Sequence, residues 1–486
     1  TTVVSATFGR MDAERFAGAR ADIERLVALR STQRKCSISW GVVADGGLVM
    51  TGAHAAEPDP LPTEQTVFRI ASMTKSFTAA SILILRDRGL LRLDDPVAEI
   101  APEFAAVVPP TGDSPCITVR HLLSMAGGMA TDDAWADRHL DITDDELDSL
   151  AANGLTFAWA PQTNGEYSNF GFAMLGRVIR HASGTRAQDF ISENLLRPLE
   201  MNRTTWLQPA HDDWARPYDV VDDERLTDIQ PLGDGAIAPM GGLWSCVADL
   251  AKWVSWFADA FPPRDDVDDG PLCRSSRREM QQVQRSWPTI SAPARGEGDE
   301  ATPVRIDGGG YGFGLFVTHD TRFGHFVAHS GGLPGYGSNM RWLPASGVGV
   351  IALGNVTYAP MSIMARRMLE VLDEHALVPA TSVTASSALL DAAQRLAALL
   401  SDWTDTSANE LFADNVALDD SLDRRARHAM ELTKTHGTLV VEALAAITPM
   451  RGRATMRHAD GTERQFDLEL SPLKPPRVQL YEVVSG

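Results

Sequence analysis

Hydrophobic spacing changes character along the chain. Residues 11–30 place Phe16, Ile23, Leu26 and Val27 on one stripe, the 3.6-residue period of an amphipathic helix. Two strand-like runs follow, CSISWGVVA and LVMTGA, joined at Asp45-Gly46-Gly47, where glycine tolerates the positive φ of a tight hairpin. A third apolar stretch, TVFRIA at 66–71, runs straight into SMTKSFTAASILILRDRG, a long apolar helix that stops at Gly89. The middle of the chain reads as mostly helical, with loops rich in Asp, Pro and Gly. Its clearest helix is NFGFAMLGRVIRHASG at 169–184, whose last turn carries Arg177, Arg180 and His181, where cations suit the helix dipole.

Residues 261–310, including RDDVDD and ARGEGDEATPV, are polar and irregular and predict a surface insertion or lid. Strand-like runs then resume as YGFGLFVTH, GHFVAHS, SNMRWLP and GVGVIALGN, spaced as an antiparallel meander, and a helix at 360–376 closes the unit. The simplest closure of this order is an α+β fold: one antiparallel sheet flanked by helices, with the N- and C-terminal strands adjacent and an all-helical subdomain in between. A linker of small and polar residues is expected at 377–387, separating a domain at 1–376 from a small α+β domain at 388–486. The latter should hold two helical stretches followed by strands such as RATMRHA, RQFDLEL and RVQLYEV.

The 486 residues suffice for two or three domains at roughly 150 residues each. A formal charge of −20 repels phosphate backbones and anionic lipid, which speaks against nucleic-acid and membrane-surface partners. The four cysteines, Cys36, Cys116, Cys246 and Cys273, form no C-x-x-C pair and read as buried free thiols. No apolar run reaches the roughly 18 residues of a membrane span. The N-terminal stretch lacks a basic flank followed by an apolar core, so a cytoplasmic location is expected, although a signal already cleaved would leave the same picture.

Only five lysines occur in the chain: Lys35, Lys75, Lys252, Lys434 and Lys474. Arginine supplies charge everywhere else, yet only lysine loses its proton when desolvated. Lys75 follows Ser72 by three residues at the first turn of an apolar helix, which puts both side chains on one face. A helix N-terminus favours a serine alkoxide and a neutral amine. The same S-x-x-K spacing recurs at Ser471 and Lys474, but Pro475 and Pro476 keep that copy out of a helix. Tyr167-Ser168-Asn169 stands at a loop-to-helix junction, and His329-Ser330-Gly331-Gly332 ends a strand with glycines that admit a ligand close to the backbone.

These three motifs, in this order, resemble the serine β-lactamase and penicillin-binding-protein superfamily, in particular its class C-like branch of D-aminopeptidases, esterases and acyltransferases. The phrases GLLRLDDPV, ITVRHLLSMAGGM, GGLWSCVADLAKWV and YGFGLFV are similar as well, and the resemblance covers residues 10–376. It implies a β-lactamase/transpeptidase-like fold without cofactor. Ser72 would be the acylated nucleophile, and Lys75 would accept or relay its proton. Tyr167 would be the partner base, its phenolate favoured by nearby cations. Asn169 would hydrogen-bond the substrate amide or Lys75. The N–H groups of Ser72 and Gly332, next to Gly331, would form the oxyanion hole, a donor of that kind removing about 3 to 4 kcal/mol from the barrier.

The chain departs from the pattern at His329, where relatives carry the lysine of Lys-Thr-Gly. The resemblance counts His329 among the catalytic residues with Ser72, Lys75 and Tyr167, but with an ordinary pKa of about 6.5 it is mostly neutral at pH 7 and a weak partner for a substrate carboxylate. Met125 and Gly127 stand where relatives often have His and Ser. His325 and His329 lack an acidic or thiol partner at metal-ligand spacing, so no metal is expected, while His121 and His181 read as structural. Trp40, Trp244, Trp253 and Trp256 read as core.

The expected activity is hydrolysis of an ester or a D-amino-acid amide or peptide through a Ser72 acyl-enzyme. Transfer of the acyl group to an amine or alcohol, as in acyltransferases and peptide-cyclising thioesterases, and a non-catalytic receptor are the alternatives. The expected partner is a small-molecule or peptide acyl substrate, and a homo-oligomer is compatible with the sequence. The C-terminal domain reads as a packing module.

Overall fold

Helix α1 (Arg10–Arg34) forms on the stripe that its sequence carries, and Ile23 and Val27 from that stripe are buried. Strands β1 (Ile38–Ala44) and β2 (Gly47–His54) follow, joined through Asp45 at φ 51° and Gly46 at φ 79°, the pair of positive values that a two-residue hairpin needs. A computed structural model describes residues 10–210, 213–222, 224–226, 229–292, 305–379 and 383–484. The chain divides into two compact units, Thr1–Pro379 and Ala380–Gly486.

The first unit is built on an eight-stranded sheet. Its remaining strands are β3 (Arg285–Ala292), β4 (Arg305–Tyr311), β5 (Phe316–Asp320), β6 (Gly324–Leu333), β7 (Tyr336–Trp342) and β8 (Gly349–Gly354). They run in the order β2-β1-β8-β7-β6-β5-β4-β3, every neighbour antiparallel. The first and last strands are thus adjacent, Trp40 opposite Ala352, as the order of apolar runs requires. Strand alternation divides the core. Val350 and Ala352 join α1 and α6 (Met361–Glu374) on one face, whereas Ile351 and Leu353 join α2 (Thr74–Asp87), α4 (Asn169–Ser183) and α5 (Val247–Ala258) on the other. Between α2 and α4 lies the one-turn helix α3 (Asp133–Ala136).

Two expectations for this unit are corrected. Residues 261–310 are no insertion in their described part: β3 and β4 form the outer edge of the sheet, and residues 293–304 lie outside the described residues. Strand signals are weak there because Gly309 and Gly310 permit close backbone approach. A Cβ on Gly310 would stand 1.9 Å from the Arg285 carbonyl oxygen and one on Gly309 2.2 Å from that of Val317. Nor are all four thiols buried. Cys36 and Cys246 are, their pKa pushed up to about 12 by desolvation, but Cys116 and Cys273 are exposed. Trp40, Trp244 and Trp253 are fully buried, and no helix among the described residues is long and apolar enough to cross a membrane.

The second unit begins with α7 (Ser387–Ser401), whose Leu389, Ala393, Leu396 and Leu400 meet Ala454, Met456, Phe466 and Leu468 in one core. Two short helices (Asp405–Leu411, Asp414–Asp419) and α8 (Leu422–His436) follow, so the described residues of this unit hold four helices where two stretches are expected. Strands β9 (Leu439–Thr448), β10 (Arg451–His458), β11 (Glu463–Leu470) and β12 (Val478–Val484) form an antiparallel meander. The sequence of β9, LVVEALAAIT, is alanine-rich and suits helix as well as strand, so pattern alone does not find it. The second S-x-x-K copy lies in the β11–β12 connection, where the Ser471 hydroxyl accepts from the Arg477 N–H.

Candidate active site

The first unit concentrates its sequence-predicted polar residues at the N-terminus of α2. A 3-10 turn (Ala71–Met73) precedes that helix, and Ala71 sits at φ 49°, a left-handed conformation costing roughly 1–3 kcal/mol that clusters at functional sites. Ser72 is partly exposed, while Lys75, one turn on, is fully buried. The Lys75 Nζ donates to Ser72 Oγ (3.0 Å), Asn169 Oδ1 (2.6 Å) and the Met240 carbonyl oxygen (2.8 Å). Those three acceptors use all three protons of an ammonium.

Each acceptor is held from outside. Asn169 opens α4, whose first turn is capped by the Asp132 carboxylate, accepting from the N–H of Asn169 (2.8 Å) and of Phe170 (2.7 Å). The Asn169 amide in turn donates to Asp133 (2.7 Å). The Met240 carbonyl is presented by a turn tied to α2, where Thr78 donates to Pro239 (2.7 Å) and Thr74 accepts from Leu243 (3.2 Å). Burial lowers the Lys75 pKa to about 8, against the upward pull of Asp133, Asp137 and Asp132.

Tyr167 stands beside Ser72, and its ring centroid lies 4.9 Å from the Lys75 nitrogen. Its surroundings oppose the expectation of a stabilised phenolate. Burial pushes its pKa well above the usual tyrosine value, and the three carboxylates push in the same direction, so Tyr167 is a neutral phenol here. Its loop hangs on Met125, which is at φ 57°: the Met125 carbonyl accepts from the Glu166 N–H (3.0 Å) and its sulfur from the Ser168 N–H (3.4 Å). This accounts for methionine at that place. At Gly127 a Cβ would come within 3.1 Å of the Met129 methyl.

Strand β6 passes beside the turn that carries Ser72. Its neighbour β5 pairs only as far as Ala328, so His329 to Leu333 bond to β7 alone, and the turn before Ser72 fills the vacated side. Ser338 Oγ donates to the Ile70 carbonyl (2.7 Å), and a Cβ on Gly331 would stand 2.2 Å from that same oxygen. Gly331 therefore allows the strand to lie against the Ser72 turn, and Gly332 follows beside it. The N–H of Ser72, in the first turn of the helical run, has no intrahelical acceptor.

His329 lies in the same cluster, next to Tyr167. It is 1 % exposed, its Nδ1 donates to the Ser330 carbonyl (2.6 Å), and its Nε2 accepts from the Tyr311 hydroxyl (2.9 Å). Burial lowers its pKa to about 3, with Lys75 adding to the fall. A neutral ring with both nitrogens engaged is a weak partner for a substrate carboxylate; its centroid lies 6.4 Å from that of Tyr167. Around it stand Tyr311, Phe316 and Trp287, with Tyr167 stacked on Phe316 at 6.3 Å and Trp287 5.9 Å from it. Sequence reasoning did not find Trp287 or the Asp132-Asp133 support. The tryptophan sits on an edge strand with a weak pattern, and the acidic pair looks like any solvated loop.

The other histidines noted in the sequence have structural partners. His325 stacks on His319 (4.9 Å) and bonds the Gln281 carbonyl, His121 completes a capping box with Thr118, and His181 pairs with Glu103. Among the described residues no three His, Cys, Asp or Glu side chains are grouped to hold a metal.

A sequence model described as Beta-lactamase matches residues 19–373. Among curated proteins, Penicillin-binding protein 4* of Bacillus subtilis is 28% identical over 310 residues, 59% of this chain and 60% of that protein. The protein flp of Staphylococcus aureus strain MW2 is 26% identical over 309 residues, 61% of this chain and 54% of that protein. The chain thus spans less than two thirds of the length of these curated relatives. Among solved structures, the octameric penicillin-binding protein homologue from Pyrococcus abyssi aligns with a TM-score of 0.60 at 22% identity, over 93% of this chain and 91% of that one. That likeness is one of fold. Its coverage reaches past residue 376, where the sequence resemblance stops.

Proposed function

The chain belongs to the Beta-lactamase family, and from that premise we propose that it is a serine hydrolase working through a Ser72 acyl-enzyme on uncharged esters or amides. The observation that carries this is the proton count at Lys75. Asn169 Oδ1 and the Met240 carbonyl accept only, so when Lys75 is neutral its lone pair has one partner able to donate, the Ser72 hydroxyl. Loss of one proton from Lys75 thereby turns Ser72 into the donor and readies it for attack.

In this reading Ser72 Oγ bonds the substrate carbonyl carbon while its proton passes to Lys75. The oxyanion is met by the N–H groups of Ser72 and Gly332. Tyr167, a neutral phenol beside Ser72, relays the proton from Lys75 to the departing alcohol or amine as the carbon–heteroatom bond breaks. Water then attacks the acyl-enzyme by the reverse relay. The leaving portion lies on the Tyr167 side, against Phe316 and Trp287, with neutral His329 next to Tyr167. The residue that stands in place of the family's lysine is thus a neutral imidazole, which supports an uncharged leaving portion over the carboxylate of a penicillin or a D-Ala-D-Ala terminus.

D-amino-acid amides and plain esters both fit this description, and transfer to an amine or alcohol differs only in the second acceptor. Residues 1–376 would carry the chemistry, with 377–387 as linker and 388–486 as an accessory module. An assembly of like chains draws support from the octameric state named for the Pyrococcus abyssi homologue.

Intact-protein mass spectrometry tests the proposal. Wild type and Ser72→Ala are incubated with p-nitrophenyl esters, D- and L-amino-acid amides, a cephalosporin and a fluorophosphonate. The expected result is an adduct in wild type alone, fastest with uncharged esters or amides. Absence of any adduct from folded wild type would favour the non-catalytic receptor, and product analysis with excess amine separates transfer from hydrolysis.

A further inference from the structure

Strand β6 has two ends at the site. The His329 end faces the aromatic wall, and the Gly332 end faces Tyr358, in the connection between β8 and α6. The Tyr358 backbone is held against the β6–β7 turn, its N–H donating to the carbonyl oxygens of Tyr336 (3.2 Å) and Leu333 (3.4 Å). It sits at φ 51°, a conformation that bulky residues seldom hold without compensation. The ring lies over Gly332: a Cβ built there would stand 2.7 Å from Tyr358 Cδ1. From that position the hydroxyl crosses to the helical side of the unit. It donates to Asp137 Oδ2 (3.0 Å) and accepts from the Arg138 guanidinium (3.3 Å), just after α3.

One side chain therefore bridges the sheet-side loop and α3, directly above the glycine next to the nucleophile. Asp137 is only 4 % exposed, so the anchor is firm, whereas Tyr358 itself is 45 % exposed, a large ring that faces solvent rather than being packed away. α3 is also the element that holds Asn169, and through it Lys75.

We propose that Tyr358 is a specificity-determining gate that closes the Gly332 end of the cleft and limits the bulk of the acyl group that Ser72 accepts. The inference rests on the acyl-enzyme reading above. That reading sets the leaving portion on the Tyr167 side, so the acyl chain must run the other way, past Gly332 and into the Tyr358 ring. With the ring pinned to Asp137 and Arg138, short acyl groups fit and long or branched ones meet it.

The test keeps the leaving group constant and varies the acyl chain. Hydrolysis of p-nitrophenyl acetate, butyrate and octanoate is measured for wild type, Tyr358→Ala and Tyr358→Phe, and kcat/KM for octanoate is divided by that for acetate within each variant. The ratio cancels any loss of folded enzyme. Wild type should prefer acetate. Tyr358→Ala should raise the octanoate-to-acetate ratio about tenfold, the scale on which a hydrophobic pocket discriminates. Tyr358→Phe, which keeps the ring but frees it from Asp137 and Arg138, should raise it by a smaller factor. A ratio in Tyr358→Ala within twofold of wild type overturns the gate. A ratio in Tyr358→Phe equal to wild type overturns the pinning and with it the latch. Failure of the acyl-enzyme reading looks different: wild type would then neither turn over acetate nor take up a fluorophosphonate at Ser72.

Discussion

The two units treat charge in opposite ways. The first unit takes Lys75, Asp137 and His329 out of water, each at most 4 % exposed, and surrounds them with fixed partners. The second unit sends its charges outward. Along β10, Ala454 and Met456 turn inward, while Arg451, Arg453 and Arg457 face the other way and pair across the sheet with Glu469, Asp467 and Glu463. The difference follows from solvent. An exposed pair keeps its hydration and contributes little when formed or lost. A buried ammonium loses its hydration, so its proton becomes labile, and its neighbours decide where that proton goes. Only the first arrangement prepares chemistry, and it does so by giving up some stability at the site.

The largest effect that would break this contrast is at Lys75. Lys75→Ala should lower kcat/KM for an activated ester by about 10³-fold or more, and Lys75→Arg should not rescue it, because guanidinium stays protonated. In wild type, kcat/KM should climb as pH rises through about 8, since the lysine pKa is lowered to that value and the neutral amine is the active form. A flat profile between pH 6 and 9 would remove Lys75 from the base role.

A smaller effect is expected at Gly331. Alanine there would press on the Ile70 carbonyl oxygen at 2.2 Å and on Ser338 Oγ at 2.4 Å, so the turn before Ser72 must move. Activity should fall by about tenfold to a hundredfold, and the first unit should lose roughly 1–3 kcal/mol, read by denaturant melting. Wild-type acylation rates in this variant would mean that the strand need not touch the turn. The smallest effect belongs to the second unit. Arg453→Ala removes a two-pronged bond to Asp467, yet at that exposure Tm should move by no more than a few degrees and ester hydrolysis not at all. A large loss of activity would show that the two units are not separable in this way.

Much of the fold was legible because its signals are local. The Asp45-Gly46 turn, the α2 stop at Gly89 and the Gly184 end of α4 each rest on one residue's conformational freedom, with φ of 79° at Gly46, 74° at Gly89 and 76° at Gly184. The edge strands β3 and β4 escaped notice because glycine there serves backbone contact, which leaves no alternating apolar pattern. Ser72, Lys75, Tyr167 and Asn169 could be read as candidates from spacing at helix starts, and the structure brings all four together. His329 was read by position along the chain. Only the structure shows that its ring is buried, with both nitrogens bonded to Tyr311 and Ser330.

The sequence by itself determined which residues could sit one helical turn apart, which strands must be neighbours, and that a lysine was used where arginine would otherwise serve. Those follow from periodicity and residue chemistry, which act over a few positions. Tertiary structure alone decided that Lys75 is dry, that Asp132, Asp133 and Asp137 surround it, that Tyr167 stays a phenol, and that Tyr358 spans from Gly332 to Asp137. These are properties of segments up to 221 residues apart, and burial and electrostatics belong to the assembled neighbourhood, not to any residue in it.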